Sequence, residues 1–222
     1  MTSAEVADRE SDAAESYRSN GYALLKRLFP PAVTKAFHAR LQSDLNLTET
    51  REFLTTCNLL DKPAIEVYSL QYPPMATFLW GLTPTISRLA GCDLLPTYAY
   101  FRVYQQGDVC RVHSDRHACE HSLSLMLELA DNQPWALSVG REHDENRTFT
   151  IAEDFGSEQF SSLPMGAGDG VLYQGVSHRH GRIEPNPNRW SAHLFLHWVD
   201  SNGPHASHAF DQVALANVQG QS

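Results

Sequence analysis

The chain is short of the features that mark several common protein classes. Only four of its 222 residues are cysteine (Cys57, Cys92, Cys110, Cys119), and no two form a CxxC pair. Neither a disulfide framework nor a thiolate zinc site is suggested, and reduced thiols in a cytoplasmic protein are the expectation. No apolar run approaches the roughly 18 residues of a membrane span. The opening MTSAEVADRESDAAES has no apolar stretch of the kind a secretory leader needs. Basic residues are scarce: 17 Lys+Arg stand against 26 Asp+Glu, a formal charge of −9. Holding a phosphate backbone takes clustered Lys and Arg, so a nucleic-acid partner is not expected, and an anionic polymer makes a poor substrate. Internal repeats and low-complexity tracts are also lacking.

What is present is a globular composition, 42% hydrophobic and 10% aromatic, in a length that can bury a sizeable core. We expect a flexible leader over 1–16 and a single domain over 17–222. Within that domain, 17–95 reads as a helical support region, 96–200 as the core and 201–222 as a C-terminal tail. GYALLKRLFPPAV (21–33) reads as a short strand and then a helix start, with Pro31 tolerated in the first turn. Val33, Ala36, Phe37, Leu41 and Leu45 recur at helical spacing and predict one buried stripe. A second helix is expected from Met75 to Leu89, ended by Gly91, and 46–73 reads as mixed helix and loop.

After Leu95 the period changes. TYAYFRVY (97–104), DVCRVHSD (108–115), HSLSLMLEL (121–129), PWALSVG (134–140), RTFTI (147–151), DGVLYQG (169–175) and RWSAHLFLHWV (189–199) all read as strands. Short strands between turns, with no helices among them, indicate an antiparallel sandwich or barrel. The expected fold is mainly β with N-terminal helices: a double-stranded β-helix, the cupin-like jelly roll.

Eleven histidines are many for this length, and most fall between 113 and 197. In His113-Ser114-Asp115 an imidazole and a carboxylate stand two apart, which on a strand puts both on one face. Alone that is a weak signal. Downstream, GDGVLYQGVSHRHGR (168–182) offers His178 and His180, and Arg189, Ser191 and His193 then alternate onto one face of a strand. Two histidines and one carboxylate can hold a non-haem iron with three positions left open. A guanidinium nearby could grip a carboxylate with its planar fork.

These elements resemble the Fe(II)/2-oxoglutarate-dependent dioxygenases, in particular the prolyl-hydroxylase-like branch, over roughly 98–200. Tyr104 lies nine residues before His113, Tyr173-Gln174-Gly175 forms the turn before the distal histidine, and Arg189-Trp190-Ser191 follows it. The resemblance implies that His113, Asp115 and His180 hold Fe(II), with His178 the alternative distal ligand. It implies that Arg189, Ser191 and Tyr104 hold 2-oxoglutarate. It further implies an oxygenase that uses O2 and releases succinate and CO2. An intact Asp115 points to hydroxylation, with other oxidative outcomes open, and the family suggests an amino acid, free or peptidyl, or another small molecule.

Other residues carry weaker expectations. Tyr98, Tyr100 and Arg102 share a face with Tyr104 and are candidates to bind substrate, or else an aromatic strand face packed under helices. Arg116 and Arg182 stand close to proposed ligands and are candidate substrate anchors. The loop 141–168 and the tract 46–73 are expected at the pocket entrance. Two other function classes stay open: a zinc-type hydrolase or isomerase on a jelly roll, and a metal- or 2-oxoglutarate-binding sensor without turnover. The oligomeric state is not legible.

Overall fold

A computed structural model describes residues 3–49, 51–145, 147 and 149–211, with side chains from Asp8 onward. Three helices, α1 (Ser3–Asn20), α2 (Pro31–Leu45) and α3 (Pro74–Ala90), pack on one face of a seven-stranded sheet. Its strands are β1 (Tyr22–Leu25), β2 (Leu54–Thr55), β3 (Ala64–Tyr68), β4 (Leu94–Gln105), β6 (His121–Leu129), β10 (Gly170–Tyr173) and β12 (Trp190–Asp200), in the order β1-β10-β6-β12-β4-β3-β2. The facing sheet holds β5 (Cys110–His113), β7 (Trp135–Gly140), β8 (Ile151–Ala152), β9 (Phe160–Met165) and β11 (His180–Arg182), in the order β8-β5-β11-β7-β9. The pairings are antiparallel and the two sheets enclose a second core. The expected jelly roll with N-terminal helices is the fold.

The central strands β6 and β12 of the larger sheet are buried on both faces, and the alternation along β12 and β4 divides two kinds of environment. On β12, Ala192, Leu194, Leu196 and Trp198 join the helical core, while Ser191, His193, Phe195 and His197 face the other sheet, and all eight are buried. On β4, Ala99 and Phe101 join the helical core, and Tyr98, Tyr100, Arg102 and Tyr104 line a narrow cavity between the sheets. A run of buried polar side chains on two adjacent central strands is costly unless each finds a partner. The sandwich interior is therefore where the chemistry is to be sought.

Several expectations need correction. The proposed leader over 1–16 is helical from Ser3, and α1 runs past its boundary to bury Ala14 and Tyr17. The tract 46–73 contains two strands, β2 and β3, that extend the larger sheet. Strand β9 lies inside the expected entrance loop 141–168, and among the described residues of 147–151 only Ile151 is in a strand, at the start of β8. The packed face of α2 is Thr34, His38 and Leu41, leaving Val33 48% exposed. Thr34 Oγ1 donates to the Pro31 carbonyl at 3.1 Å, and His38 Nδ1 stands 2.8 Å from Glu128 of β6. Of the expected apolar stripe, Leu41 is buried and Phe37 and Leu45 pack partly buried against the core, while Val33 and Ala36 are exposed and Thr34 and His38 share the packed face. The expected tail is described only to Asp211, through the turn segment Ala206–Asp211; 212–222 lie outside the described residues.

His121 of β6 faces the helices: its Nδ1 is 2.6 Å from the Tyr17 hydroxyl of α1. Burial holds its pKa down at about 4 against a weaker upward pull from Asp200. In the unfolded chain the ring protonates near 6.5, so its neutral form stabilises the fold fully above that pH and loses this as pH falls toward 4. Between pH 7.5 and pH 5 the loss is about 2 kcal/mol from this residue. Urea unfolding of His121→Gln should show the gap between wild type and variant narrowing by about that amount over the same interval; a gap independent of pH would exclude His121 as a source of the acid sensitivity.

Candidate active site

β5 and β11 lie side by side, and their register sets His180 directly opposite His113. Asp115 follows β5 by two residues, fixed by its backbone N–H donating to the Gly175 carbonyl at 2.8 Å. His113 Nε2 and His180 Nε2 stand 3.6 and 3.5 Å from the same oxygen, Asp115 Oδ1. One donor atom from each of the three lies within 4.8 Å of the others. Gly175 permits this approach, because a Cβ there would meet Asp115 Oδ2 at 2.3 Å and the Cys119 carbonyl at 2.7 Å.

The hydrogen bonds behind the rings fix their tautomers. His113 Nδ1 donates to the Arg111 carbonyl at 2.8 Å, and His180 Nδ1 to the His178 carbonyl at 3.0 Å. A carbonyl only accepts, so each Nδ1 carries the ring proton and each Nε2 presents a bare lone pair. Burial, and then His180, push the His113 pKa down, which keeps that ring neutral. Burial alone would raise Asp115, yet the two imidazoles outweigh it and hold the carboxyl far below the usual carboxylate range. Both Nε2 atoms and the ionised Asp115 Oδ1 thus face one another, where a metal ion would take the place of any proton they share. Two imidazoles and a carboxylate are a donor set that could hold a first-row divalent ion such as Fe(II).

A second set, Asp115, Cys119 and His197, also brings donor atoms within 4.8 Å. Burial and then the Asp115 charge drive the Cys119 thiol well up, and Tyr98 Oη lies 3.1 Å from its sulfur. A protonated thiol is a poor ligand, so the two-histidine set is the better metal site.

His178 does not join. Its Nδ1 donates to the Gly140 carbonyl at 2.9 Å, and its ring borders a separate groove of about 560 Å3 with Arg18, Tyr22, Arg141 and His143. Arg189 does not join either. It precedes β12 on the surface with its side chain 71% exposed, and its backbone N–H and Nε donate to Asp131 at 2.7 and 2.9 Å. Arg116 is half-exposed, donates twice to Asp211 and lies 4.3 Å over the Tyr98 ring. Ser191 is buried behind the cavity wall, where its hydroxyl meets His193 Nε2 at 2.9 Å and Asn186 Nδ2 at 3.1 Å.

The cavity that holds His113, Asp115 and His180 is also lined by Tyr100, Arg102, Tyr104 and Arg182. Arg102 is matched, since its guanidinium donates to Glu66 and to Tyr104 Oη. Arg182 is not matched. It is 1% exposed, and its described partners are the Trp135 carbonyl, Ser124 Oγ, Met165 Sδ and His193 Nδ1, none of them anionic. Burial pushes its pKa down, but a guanidinium remains protonated. His193 accepts from it: burial, Arg182 and Arg102 together drive that imidazole well below its usual value, so it stays neutral. His197 and Ser122 also belong to the site and had not been singled out. The signal for His197 was available, since it continues the alternation Ser191, His193, Phe195 on one face of β12.

No family model matches the chain, and no match was found among curated proteins. Solved structures do resemble it. The non-heme alpha ketoglutarate dependent carbocyclase SnoK from nogalamycin biosynthesis is 16% identical, covers 86% of this chain and 83% of its own, and superposes with a TM-score of 0.67. A Pseudomonas putida prolyl-4-hydroxylase is 14% identical over 85% of this chain and 98% of its own, TM-score 0.56. HygX from Streptomyces hygroscopicus, solved with nickel, 2-oxoglutarate and hygromycin B bound, is 10% identical over 86% and 87%, TM-score 0.62. The chain shares the fold of the 2-oxoglutarate/Fe(II) oxygenases.

Removing one of the facing imidazoles should abolish tight metal binding, whereas the ring in the separate groove should be dispensable. Calorimetric titration with Ni2+ should show His180→Ala weakened by at least about 10²-fold and His178→Ala like wild type; the reverse ranking would reassign the distal ligand. Gly175→Ala should weaken the metal by about 10–100-fold by displacing Asp115.

Proposed function

We propose that the chain is a non-haem Fe(II)/2-oxoglutarate-dependent oxygenase that oxidises a C–H bond of a small organic molecule or a peptidyl side chain. His113, Asp115 and His180 would hold the iron, and Arg182 would hold the far carboxylate of 2-oxoglutarate. The observation that carries the reading is the convergence of two tautomer-fixed imidazoles and an ionised carboxylate in the same cavity as a buried guanidinium that has no anion. When bound, ferrous iron and 2-oxoglutarate supply the activation of dioxygen, with succinate and CO2 as co-products.

The charges inside the sandwich support the pair. Arg102 is balanced by Glu66, and Asp115 is the only described carboxylate lining the cavity, to set against Arg182. A divalent cation and a dicarboxylate dianion enter together without changing the net charge, whereas either alone would leave uncompensated charge in a low-dielectric space. A hydrolytic zinc site, the other enzymatic reading, gives Arg182 no anion. The chain's own groups then have separable tasks. Tyr104 and the Arg102–Glu66 pair shape one wall, with Tyr104 Oη held by Arg102 at 3.0 Å. Ser191 and His193 hold Arg182 in place. Ser122 donates to Asp115 Oδ2 at 3.3 Å, on the oxygen that does not face the imidazoles. The outcome on the substrate carbon, whether hydroxylation or another oxidation, is set by how that carbon is placed, and the fold is used for several: the similar structures include a carbocyclase and a hydroxylase.

Anaerobic addition of Fe(II) and 2-oxoglutarate should produce the visible charge-transfer band of the chelate; its absence would remove the oxygenase reading. Removing the partner of a buried carboxylate costs about 2–5 kcal/mol. Titrating that band, Arg182→Ala should therefore weaken 2-oxoglutarate by about 30-fold or more, Arg182→Lys by less, and Arg189→Ala by under about twofold. A loss confined to Arg189→Ala would return the role to the start of β12.

A further inference from the structure

The cavity has one acceptor that the cosubstrate cannot use. His197 is 2% exposed, it lines the same cavity as the three proposed ligands, and its Nε2 has no hydrogen-bond partner. Proton counting fixes which form of the ring is present. Ser122 Oγ lies 3.1 Å from the Cys119 carbonyl, 3.3 Å from Asp115 Oδ2 and 2.8 Å from His197 Nδ1. The first two are acceptors only, and the hydroxyl has a single hydrogen to give. The shortest contact is therefore His197 Nδ1–H donating to Ser122 Oγ, which leaves Nε2 as a bare lone pair. The ring cannot readily turn away, because Tyr98 stacks on it at 4.5 Å and Tyr100 lies at 5.8 Å.

A dicarboxylate with a ketone offers acceptors and no donor. Its needs are met by the guanidinium and by a metal, and a second lone pair at His197 would repel it. We propose that His197 Nε2 accepts a hydrogen bond from an O–H or N–H group of the primary substrate, so that the chain selects molecules bearing such a donor beside the carbon it oxidises. The aromatic faces of Tyr98 and Tyr100 flank the position. This inference rests on the oxygenase reading and deepens it: the donor-rich side of the cavity, Arg102 and Arg182, serves the cosubstrate, and the acceptor beside Asp115 serves the substrate. His197 acts here as a specificity residue.

The experiment uses the full chain loaded with Fe(II) and 2-oxoglutarate. Small alcohols, amines and amides, each paired with its O- or N-methylated counterpart, are scored for succinate above the substrate-free rate. Compounds that stimulate should carry a donor, and blocking it by methylation should cut stimulation at least tenfold. His197→Phe keeps a flat ring without the lone pair, and it should lower the parent compound to the level of its methylated partner. His197→Gln, which can still accept, should recover part of the difference. Nitrogen-15 NMR of histidine-labelled protein should show an unprotonated His197 Nε2, assigned by its loss in His197→Phe. Equal stimulation by methylated and parent compounds, discrimination that survives in His197→Phe, no stimulation by any donor-bearing compound, or a protonated Nε2 would each overturn the assignment. So would a fall in 2-oxoglutarate affinity in His197→Phe as large as the fall in stimulation, since that would make His197 part of the cosubstrate site. Failure of the chelate band in wild type would instead remove the oxygenase reading itself.

Discussion

The interior of the sandwich has to reconcile burial with polarity, and the structure follows from how it does so. Burying a polar group without a partner costs more than one hydrogen bond is worth, so a protein interior pairs nearly everything it contains. Here the pairing is thorough on one side of each group and open on the other. His113 and His180 are tied through Nδ1 and bare at Nε2; Asp115 is tied through Oδ2 to Ser122 and open at Oδ1. Arg182 is held by four neutral partners while its charge is left unmatched. Each open valence belongs to a residue that lines the same cavity.

The fold supplies this by pairing two short strands across the smaller sheet and leaving the larger sheet to carry the load. β4, β6 and β12 place their alternate apolar residues under the helices, where Phe101, Leu123, Leu194 and Trp198 are fully buried. Their other faces can then hold serine, arginine, tyrosine and histidine without loss of the main core. A single-faced sheet could not do both. The stability of the domain and the chemistry of the cavity reside on opposite faces of the same strands, which is why a period of two is the informative signal in this sequence.

That signal made much of the molecule legible. The strand over 121–129 coincides with β6, the one over 189–199 is displaced from β12 by a single residue, and the shared face of Tyr98, Tyr100, Arg102 and Tyr104 lines the cavity. His113, Asp115 and His180 were within reach because strand geometry places i and i+2 together and the register sets His180 opposite His113. What failed was counting along the chain where local structure decides. Nine residues beyond His180 lies Arg189, but β12 begins one residue later, and Asp131 holds that guanidinium at the surface. Arg182, two residues beyond His180, inherits its inward face directly. The short strands β2, β3, β8 and β9 were missed or misplaced because segments of two to six residues carry too little periodicity to separate from loop. On α2 the apolar stripe was legible at Phe37, Leu41 and Leu45, and Thr34 and His38 joined its packed face because they bring their own partners.

The distribution of donors and acceptors around the cavity bears on selectivity more than the size of the cavity does. Arg102 and Arg182 give only donors; His197 Nε2 gives only an acceptor, on the side nearest Asp115. A ligand made of acceptors alone can satisfy the first and not the second, and a ligand rich in donors meets the opposite difficulty. Discrimination built on an unmet hydrogen bond is stronger than discrimination built on shape, because the wrong molecule leaves a buried group without its partner. The aromatic stack of Tyr98 on His197 and of Tyr100 on Phe195 keeps that division rigid, since a ring clamped between strands cannot rotate to trade its lone pair for a proton.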